Sequence, residues 1–409
     1  MKFKFIYALA IAGALSTFSS CSNDDDPAPG SSLEQKTYSS NDGLTLNLNG
    51  APLIGKTATF TPGTDGKATV TLAGEPLDIS QIMGMITRAD DEIAATLPTA
   101  GVLPGSPSVS IPVELNGDAN NCSFQGTNET EYCTYSYSGS VTADNFEFNL
   151  SDVKLKNTSL VGSWTVPALD DSFYNVGRVN WKSGKGIDLS GSGTESPIEN
   201  VVALIFAFTN IQYEGESVPV LEMLSEILQN VTFKEDGTLT AEYVDTETWE
   251  TTTAPAGIAQ YVITSEGNIR LYLNPMAIIA NTLASVRSRS SRAIDFNSIV
   301  GDLLTQLIPM LSNGIPLKYG SAIADNEGNL NEDSNVKSFY LDTDTLLPIL
   351  KAIAPIFEDK DFINSIVEEA AKDPVMGGMA GTILPNALKT LPEVIEKTTK
   401  VEIGINLQK

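Results

Sequence analysis

Histidine is absent from the 409 residues of this chain, and cysteine occurs only three times. Histidine is the usual general base near neutral pH and the commonest metal ligand in proteins. Its absence excludes Ser-His-Asp and Cys-His catalytic sites and every zinc site that needs an imidazole. We therefore expect no metal and no cofactor, and no catalytic residue stands out.

Basic residues are also scarce, since 25 Lys and Arg stand against 51 Asp and Glu, for a formal net charge of −26. Proteins that bind nucleic acid need lysine and arginine to neutralise phosphates, so nucleic acid is excluded as a partner. The hydrophobic content of 42% is enough for large cores, and the length favours two domains.

Apolar runs of the roughly 20 residues that a membrane-spanning helix needs are missing as well. The N-terminal apolar run that ends at Leu15 is shorter, follows two lysines and is followed by small residues up to Cys21. This order is typical of a secretory signal peptide, which we predict over residues 1–20. The charged, Pro- and Gly-containing stretch at 21–36 predicts a flexible acidic tether.

The residues "FSSC" that end at Cys21 resemble a bacterial lipobox, in which the cysteine is acylated and becomes the first mature residue. The "SNDDD" that follows resembles the acidic export tag of Bacteroides surface lipoproteins, which implies the outer leaflet of the outer membrane. Fatty chains such as palmitate on Cys21 would anchor the chain without a spanning helix. Two alternatives stay open: a periplasmic tether, and an ordinary signal peptide with a chance cysteine.

Longer stretches extend this resemblance to a Bacteroides surface lipoprotein family defined as a domain of unknown function. They are "YSSNDGLTLNLNGAPLIGKTATFTP", "PGSPSVSIPVELNGDANNCSF" and "LKNTSLVGSWTV". The resemblance implies no substrate, catalytic residue or cofactor. Within it, "LVGSWTVP" also resembles the first strand of lipocalin-like domains, although Trp164 could equally be an ordinary core residue at a boundary strand.

The patterning predicts an α+β protein. Alternating apolar and polar residues with turn signals predict a β-rich domain over 37–159, a sandwich or an open barrel. Over 160–409, strand pairs such as "NVTFKEDGTLTAEY" and "AQYVITSEGNIRLYLN" are interspersed with helical apolar spacing, which predicts an α+β domain. Residues 258–286 and 319–354 share a hairpin, a capping Asn or Asp and an apolar helix, so they are either a duplication or two similar packing solutions.

The two remaining cysteines, Cys122 and Cys133, flank a Gly- and Asn-containing segment between strand-like runs. In an exported chain this arrangement predicts a disulfide that staples a hairpin. Two reduced thiols or a metal pair are the alternatives.

Aromatic residues offer one candidate binding site. Tyr132, Tyr135 and Tyr137, together with Trp249, could form a stacking platform for sugar rings, because aromatic rings combine apolar faces with a polar edge. Ordinary packing of strand aromatics is the alternative interpretation.

The apolar stripes of the C-terminal helices offer a second candidate, a cavity for an acyl chain or a sterol, with simple core packing as the alternative. We therefore predict a non-enzymatic binding or scaffold lipoprotein, anchored in the outer membrane through Cys21 and facing the cell exterior, with a glycan or lipid ligand. The alternatives are a carrier of a hydrophobic ligand in the C-terminal domain and a carboxylate-based glycan hydrolase.

Overall fold

A computed structural model describes most of the chain that follows the predicted signal peptide. The described residues are 27–78, 96–97, 99–169, 173–202, 210–213, 216–245, 249–254, 257–274, 307, 309–310, 312–325, 327–331, 333–371, 381 and 383–409. The fold is strand-rich, and this part of the fold prediction is confirmed.

The described residues of the N-terminal part form twelve strands, most of which belong to two sheets. The strands are β1 Lys36–Ser39, β2 Leu44–Leu48, β3 Ala51–Pro52, β4 Lys56–Pro62, β5 Lys67–Gly74, β6 Leu77–Asp78, β7 Thr96–Leu97, β8 Ser108–Glu114, β9 Asn116–Gly117, β10 Cys122–Glu129, β11 Cys133–Val141 and β12 Phe146–Leu155. The sheet orders are β1-β4-β5-β8 and β3-β2-β12-β11-β10-β9, while β6 pairs with β7.

These two sheets pack face to face as a sandwich. Along β2 the three leucines are buried and the intervening residues are not, so period-two alternation gives each strand one inward face. The ring of Phe146 on the six-stranded sheet lies 5.2 Å from the ring of Tyr38 and 6.5 Å from that of Phe60, both on the four-stranded sheet. Aromatic rings from opposite sheets therefore meet in one shared core.

The C-terminal part is built around one long antiparallel sheet. Its strands are β13 Gly162–Trp164, β14 Gly177–Ser183, β15 Ile187–Asp188, β16 Glu195–Ser196, β17 Asn210–Tyr213, β18 Glu216–Pro219, β19 Leu228–Phe233, β20 Thr238–Val244, β21 Thr251–Thr253, β22 Ala259–Ser265, β23 Asn268–Leu273, β24 Ile315–Ser321, β25 Val336–Leu341 and β26 Thr398–Gln408. The long sheet has the order β13-β19-β20-β22-β23-β24-β25-β26-β14, with β21 paired to β20; β15–β16 and β17–β18 are separate pairs.

The described residues form fewer helices than strands. The described helices are α1 Phe173–Val176, α2 Val220–Ile227, α3 Thr343–Ile353, α4 Lys360–Ala370 and α5 Ile383–Glu396, with a 3₁₀ turn at Ala354–Glu358. Asp342 caps α3 as its position in the sequence predicts, because its carboxylate accepts the N–H of Thr345 at 3.2 Å. No described helix combines the length and apolarity needed to cross a membrane.

The long sheet curls so strongly that two of its distant strands touch. Phe233 lies on β19 and Phe339 on β25, with four strands between them in the sheet order. In a flat sheet five strand steps would separate them by roughly 24 Å. Their ring centroids are 5.5 Å apart, so the sheet is a half-barrel whose inner face meets itself.

A second contact joins the same two regions at the backbone. Thr165, directly after β13, exchanges two hydrogen bonds with Gln408 at the end of β26, at 2.9 and 2.8 Å. One end of the curled sheet is therefore held by backbone pairing as well as by aromatic packing.

The strands are tilted relative to the axis of this curl. On one side, Phe339 pairs with Tyr319, which in turn pairs with Gly267. On the other side, Phe233 pairs with Leu239, Leu239 pairs with Ala259, and Ala259 pairs with Leu273. Gly267 and Leu273 are separated by roughly 20 Å of the same strand, yet the two phenylalanines meet. Such a stagger is what a tilted, barrel-like sheet requires.

The largest cluster of buried residues contains side chains from both sides of the predicted domain boundary between residues 159 and 160. The Gln260 side-chain amide on β22 donates to the carbonyl of Val102 at 3.1 Å, and that of Asn274 donates to the carbonyl of Ile54 at 3.0 Å. The sandwich and the half-barrel therefore share a polar as well as an apolar contact.

The last residues of the predicted tether belong to the folded body. The N–H groups of Gly30 and Ser32 donate to the carbonyls of Asp118 and Ala119, and Leu33 is buried. Within 21–36, the docked segment begins near Gly30, because its backbone hydrogen bonds are satisfied by the sandwich.

Lys56 is the one lysine among the buried polar residues of the described chain. Its ammonium donates to the carbonyls of Ala100 and Gly101 at 2.9 and 3.1 Å, and burial lowers its pKa to about 8. An unfolded chain keeps this proton up to a pH near 10.5, so the unfolded state binds more protons between these values. Stability contributed by this residue therefore rises with pH above about 8.

We expect the unfolding free energy of the wild type, relative to Lys56→Met, to increase by about 2 kcal/mol between pH 7 and pH 9.5. Urea unfolding at the two pH values measures this difference. Lys67→Met, at an exposed position on β5, serves as the matched control and should show no such change. An unchanged difference between wild type and Lys56→Met would mean that the burial argument is wrong.

Candidate ligand-binding site

An aromatic cluster fills one end of the half-barrel, and we call it the aromatic floor. It consists of Trp164, Phe233, Tyr261 and Phe339, which are all buried. The Phe233 ring meets the Tyr261 ring edge-on at 4.9 Å, and the Trp164 ring meets the Phe339 ring edge-on at 5.8 Å. Side chains from β13, β19, β22 and β25 thus converge at one place.

Both polar atoms of the floor have partners inside the protein. The Trp164 indole N–H donates to the carbonyl of Leu160 at 2.8 Å, and the Tyr261 hydroxyl donates to the carbonyl of Lys234 at 3.0 Å. Burial raises the pKa of Tyr261 well above its usual value, so this hydroxyl stays neutral. The floor is therefore a closed, uncharged surface.

Aliphatic residues line the inner face beyond the floor, and we call them the aliphatic wall. Strand register places them on the same face as the floor, and each is only half-buried. The wall residues are Val231, Leu239, Leu271, Leu273, Ile315, Leu317, Leu341 and Ile403.

Burial falls with distance from the floor on two strands of the half-barrel. On β25, Phe339 in the floor is 7% exposed, whereas Leu341, two positions further on the same face, is half-buried. On β23 the same change occurs between Ile269, which is 2% exposed, and Leu271. On these two strands the buried residues lie at the floor and the half-buried residues lie further from it. At the β14–β26 edge the same face stays buried beyond the floor, as at Val179.

Two helices pack beside the β14–β26 edge through a second, smaller buried cluster. Val394 and Ile395 of α5 are buried there together with Val179 and Trp181 of β14. The Thr343 hydroxyl at the start of α3 donates to the carbonyl of Val401 on β26 and accepts its N–H, at 3.2 and 2.9 Å. This exchange fixes α3 beside the wall.

The apolar stripe of α3 is less buried than a simple core would be. Leu346, Leu347 and Leu350 of α3 pack against the second cluster but are half-buried, and Thr345 is the only buried residue of α3. A half-buried stripe is typical of a surface that borders a partly filled space.

The charged side chains of Arg178, Glu402 and Lys318 lie on the opposite, outer face of the sheet. The Arg178 guanidinium forms a 2.7 Å ion pair with Glu402 and stacks 4.1 Å from the Tyr340 ring centroid. Lys318 lies 3.6 Å from Asp342. Register places Arg178, Tyr340 and Lys318 one position out of phase with the wall, so these charges are kept away from the inner face.

The predicted sugar platform is not assembled. Tyr135 and Tyr137 are buried in the sandwich, on the inward face of β11, so they are core residues rather than ligand contacts. Tyr132 packs against Gly105 and lies beside β22. Trp249 lies in the segment that follows the last residue of β20. The prediction fails because alternation puts residues on one face without saying which face is buried.

The predicted Cys122–Cys133 disulfide is also wrong, since both thiols are free and buried. Cys122 pairs with Val141 at one end of the β10–β11 hairpin, while Cys133 stands at the turn that joins the strands. Eight residues of extended strand separate these ends by roughly 27 Å, and a disulfide needs Cα atoms within about 7 Å. Cys21, the predicted lipidation site, lies outside the described residues.

Comparisons of this chain with protein-family models, with curated proteins and with solved structures found no match.

The residues that build this site were only partly visible in the sequence. The sequence offers Trp164 as an ordinary core residue at a boundary strand, and Trp164 is buried in the floor. Phe233 and Phe339 carried no signal beyond their places in predicted hairpins, because their contact joins strands that are far apart in the sequence.

Proposed function

We propose that the protein is a non-enzymatic, lipid-anchored binding protein of the outer membrane. Its C-terminal α+β region holds a hydrophobic ligand, of the acyl-chain or sterol class, against the aliphatic wall of the half-barrel. Residues 21 to about 29 are the tether, and the acylated Cys21 is the membrane contact.

The observation that carries this proposal is the aliphatic wall itself. Eight aliphatic residues share one concave face and keep part of their surface exposed, while the floor next to them is fully packed. Exposed apolar area costs about 25 cal/mol per Å², and contiguous apolar patches usually mark binding sites. A ligand that fills the space would recover that free energy.

The polarity of the site favours an apolar ligand over a glycan. Sugar recognition needs convergent polar groups beside aromatic faces, whereas the wall offers hydrocarbon only. The charged side chains of β14 and β24–β26 named above point outwards, and the net charge of −26 disfavours anionic ligands in general. A neutral or weakly polar ligand therefore fits best.

Ordinary core packing is the alternative interpretation of an apolar face. If the protein itself fills the space beside the wall, no added ligand will bind, so a binding experiment separates the two cases.

Anchoring is tested by Cys21→Ala. We expect labelled palmitate to incorporate into the wild type and not into this variant. We expect the variant to be recovered in the soluble fraction, because no described helix is long and apolar enough to cross a membrane. The matched control is Ser22→Ala, which should be labelled and retained like the wild type. Retention of an unlabelled Cys21→Ala chain in membranes would contradict the anchor.

Ligand binding is tested with the Cys21→Ala chain, so that no covalent lipid competes, and with the neutral fluorophore N-phenyl-1-naphthylamine. We expect saturable fluorescence enhancement that weakens about tenfold in Leu271→Gln and Leu317→Gln, because each change buries an unpaired amide. Thr69→Gln, at an exposed position on β5 of the sandwich, is the matched control and should bind normally.

Absence of saturable enhancement in the parent chain would refute the hydrophobic-ligand proposal. Equal binding by the parent chain and the wall variants would show that the ligand binds to another part of the protein.

A further inference from the structure

We propose that Phe233 and Phe339 set the length of the apolar group that the site accepts. This inference rests on the proposed function, and it narrows the ligand to compounds whose inserted apolar part is short. The rest of such a ligand stays outside the half-barrel.

The first argument is that the floor blocks the axis of the half-barrel. The rings of Phe233 and Phe339 stack at 5.5 Å across the interior, and Trp164 contacts both, at 6.4 Å and 5.8 Å. Ile263 and Ile269, which register places on the same face, are buried at 6% and 2% exposure. No ligand passes this layer without displacing packed rings.

The second argument is that the floor cannot easily rearrange. Phe339 also stacks on Tyr319 at 6.2 Å, and Trp164 and Tyr261 are fixed by hydrogen bonds to the backbone. Packed interiors tolerate changes of even one methylene poorly, so the floor is a rigid stop.

The third argument is the height of the wall above the floor. On β24 the wall extends four positions from Tyr319 to Ile315, roughly 13 Å along the strand, which corresponds to roughly 10 Å along the axis for a tilt of about 40°. With C–C bonds of about 1.5 Å, an extended chain of about eight carbons spans this height. Longer chains have to leave the wall.

The test uses the Cys21→Ala chain and a series of primary alcohols from hexanol to hexadecanol, which compete with N-phenyl-1-naphthylamine. Affinity should rise about fourfold per methylene, equivalent to about 0.8 kcal/mol, up to about eight to ten carbons, and then level off. In Phe339→Ala the rise should continue for about three further carbons, because the removed ring leaves space below the floor.

Phe339→Leu and Phe233→Leu replace the alanine variant if it does not fold. In each, the alcohol length at which the affinity levels off, which we call the plateau, should increase by about one carbon. Phe357→Ala is the matched control, because this half-buried ring packs on Phe362 in the helical region and not in the floor. Its plateau should equal that of the parent chain.

Two results would overturn the inference: an affinity that keeps rising to hexadecanol in the parent chain, or a plateau that no floor variant moves. Failure of every alcohol and of the fluorophore to bind is a different result, which would refute the proposed function.

Discussion

The contact between Phe233 and Phe339 is the constraint on which the rest of the C-terminal structure depends. Two strands separated by four others in the sheet can meet only if the sheet curls and its strands tilt. The Thr165–Gln408 backbone pair holds the same end of the curl. Burial of aromatic surface supplies the driving force, since each aromatic residue removes 150–250 Å² from water.

The curl divides the inner face into two environments. Near the contact, side chains from opposite strands fill the interior, which makes the aromatic floor. Further along the axis the aliphatic residues of the wall are only half-buried. The aromatic residues therefore mark the packed end of the inner face, and the outward-facing ion pair of Arg178 with Glu402 keeps charge away from the wall.

Local features were predictable from the sequence, and long-range ones were not. Asp236 and Gly237 between two alternating runs predicted the β19–β20 hairpin, and Asp342 predicted the start of α3, because turns and caps depend on neighbouring residues. Strand register decided the rest. It separates the two cysteines by the length of a hairpin and turns Tyr135 and Tyr137 into the core. The floor joins strands whose pairing order no local pattern specifies.

The measurement that tests the Phe233–Phe339 contact most directly is a double-mutant cycle. It compares the unfolding free energies of the wild type, Phe233→Leu, Phe339→Leu and the double variant. Aromatic pairs in contact contribute about 0.5–1.5 kcal/mol beyond their buried area. We predict a coupling free energy of about 1 kcal/mol between these two positions. Additive effects, with a coupling below about 0.4 kcal/mol, are expected of residues that do not touch, and they would contradict the curled sheet and the site built on it.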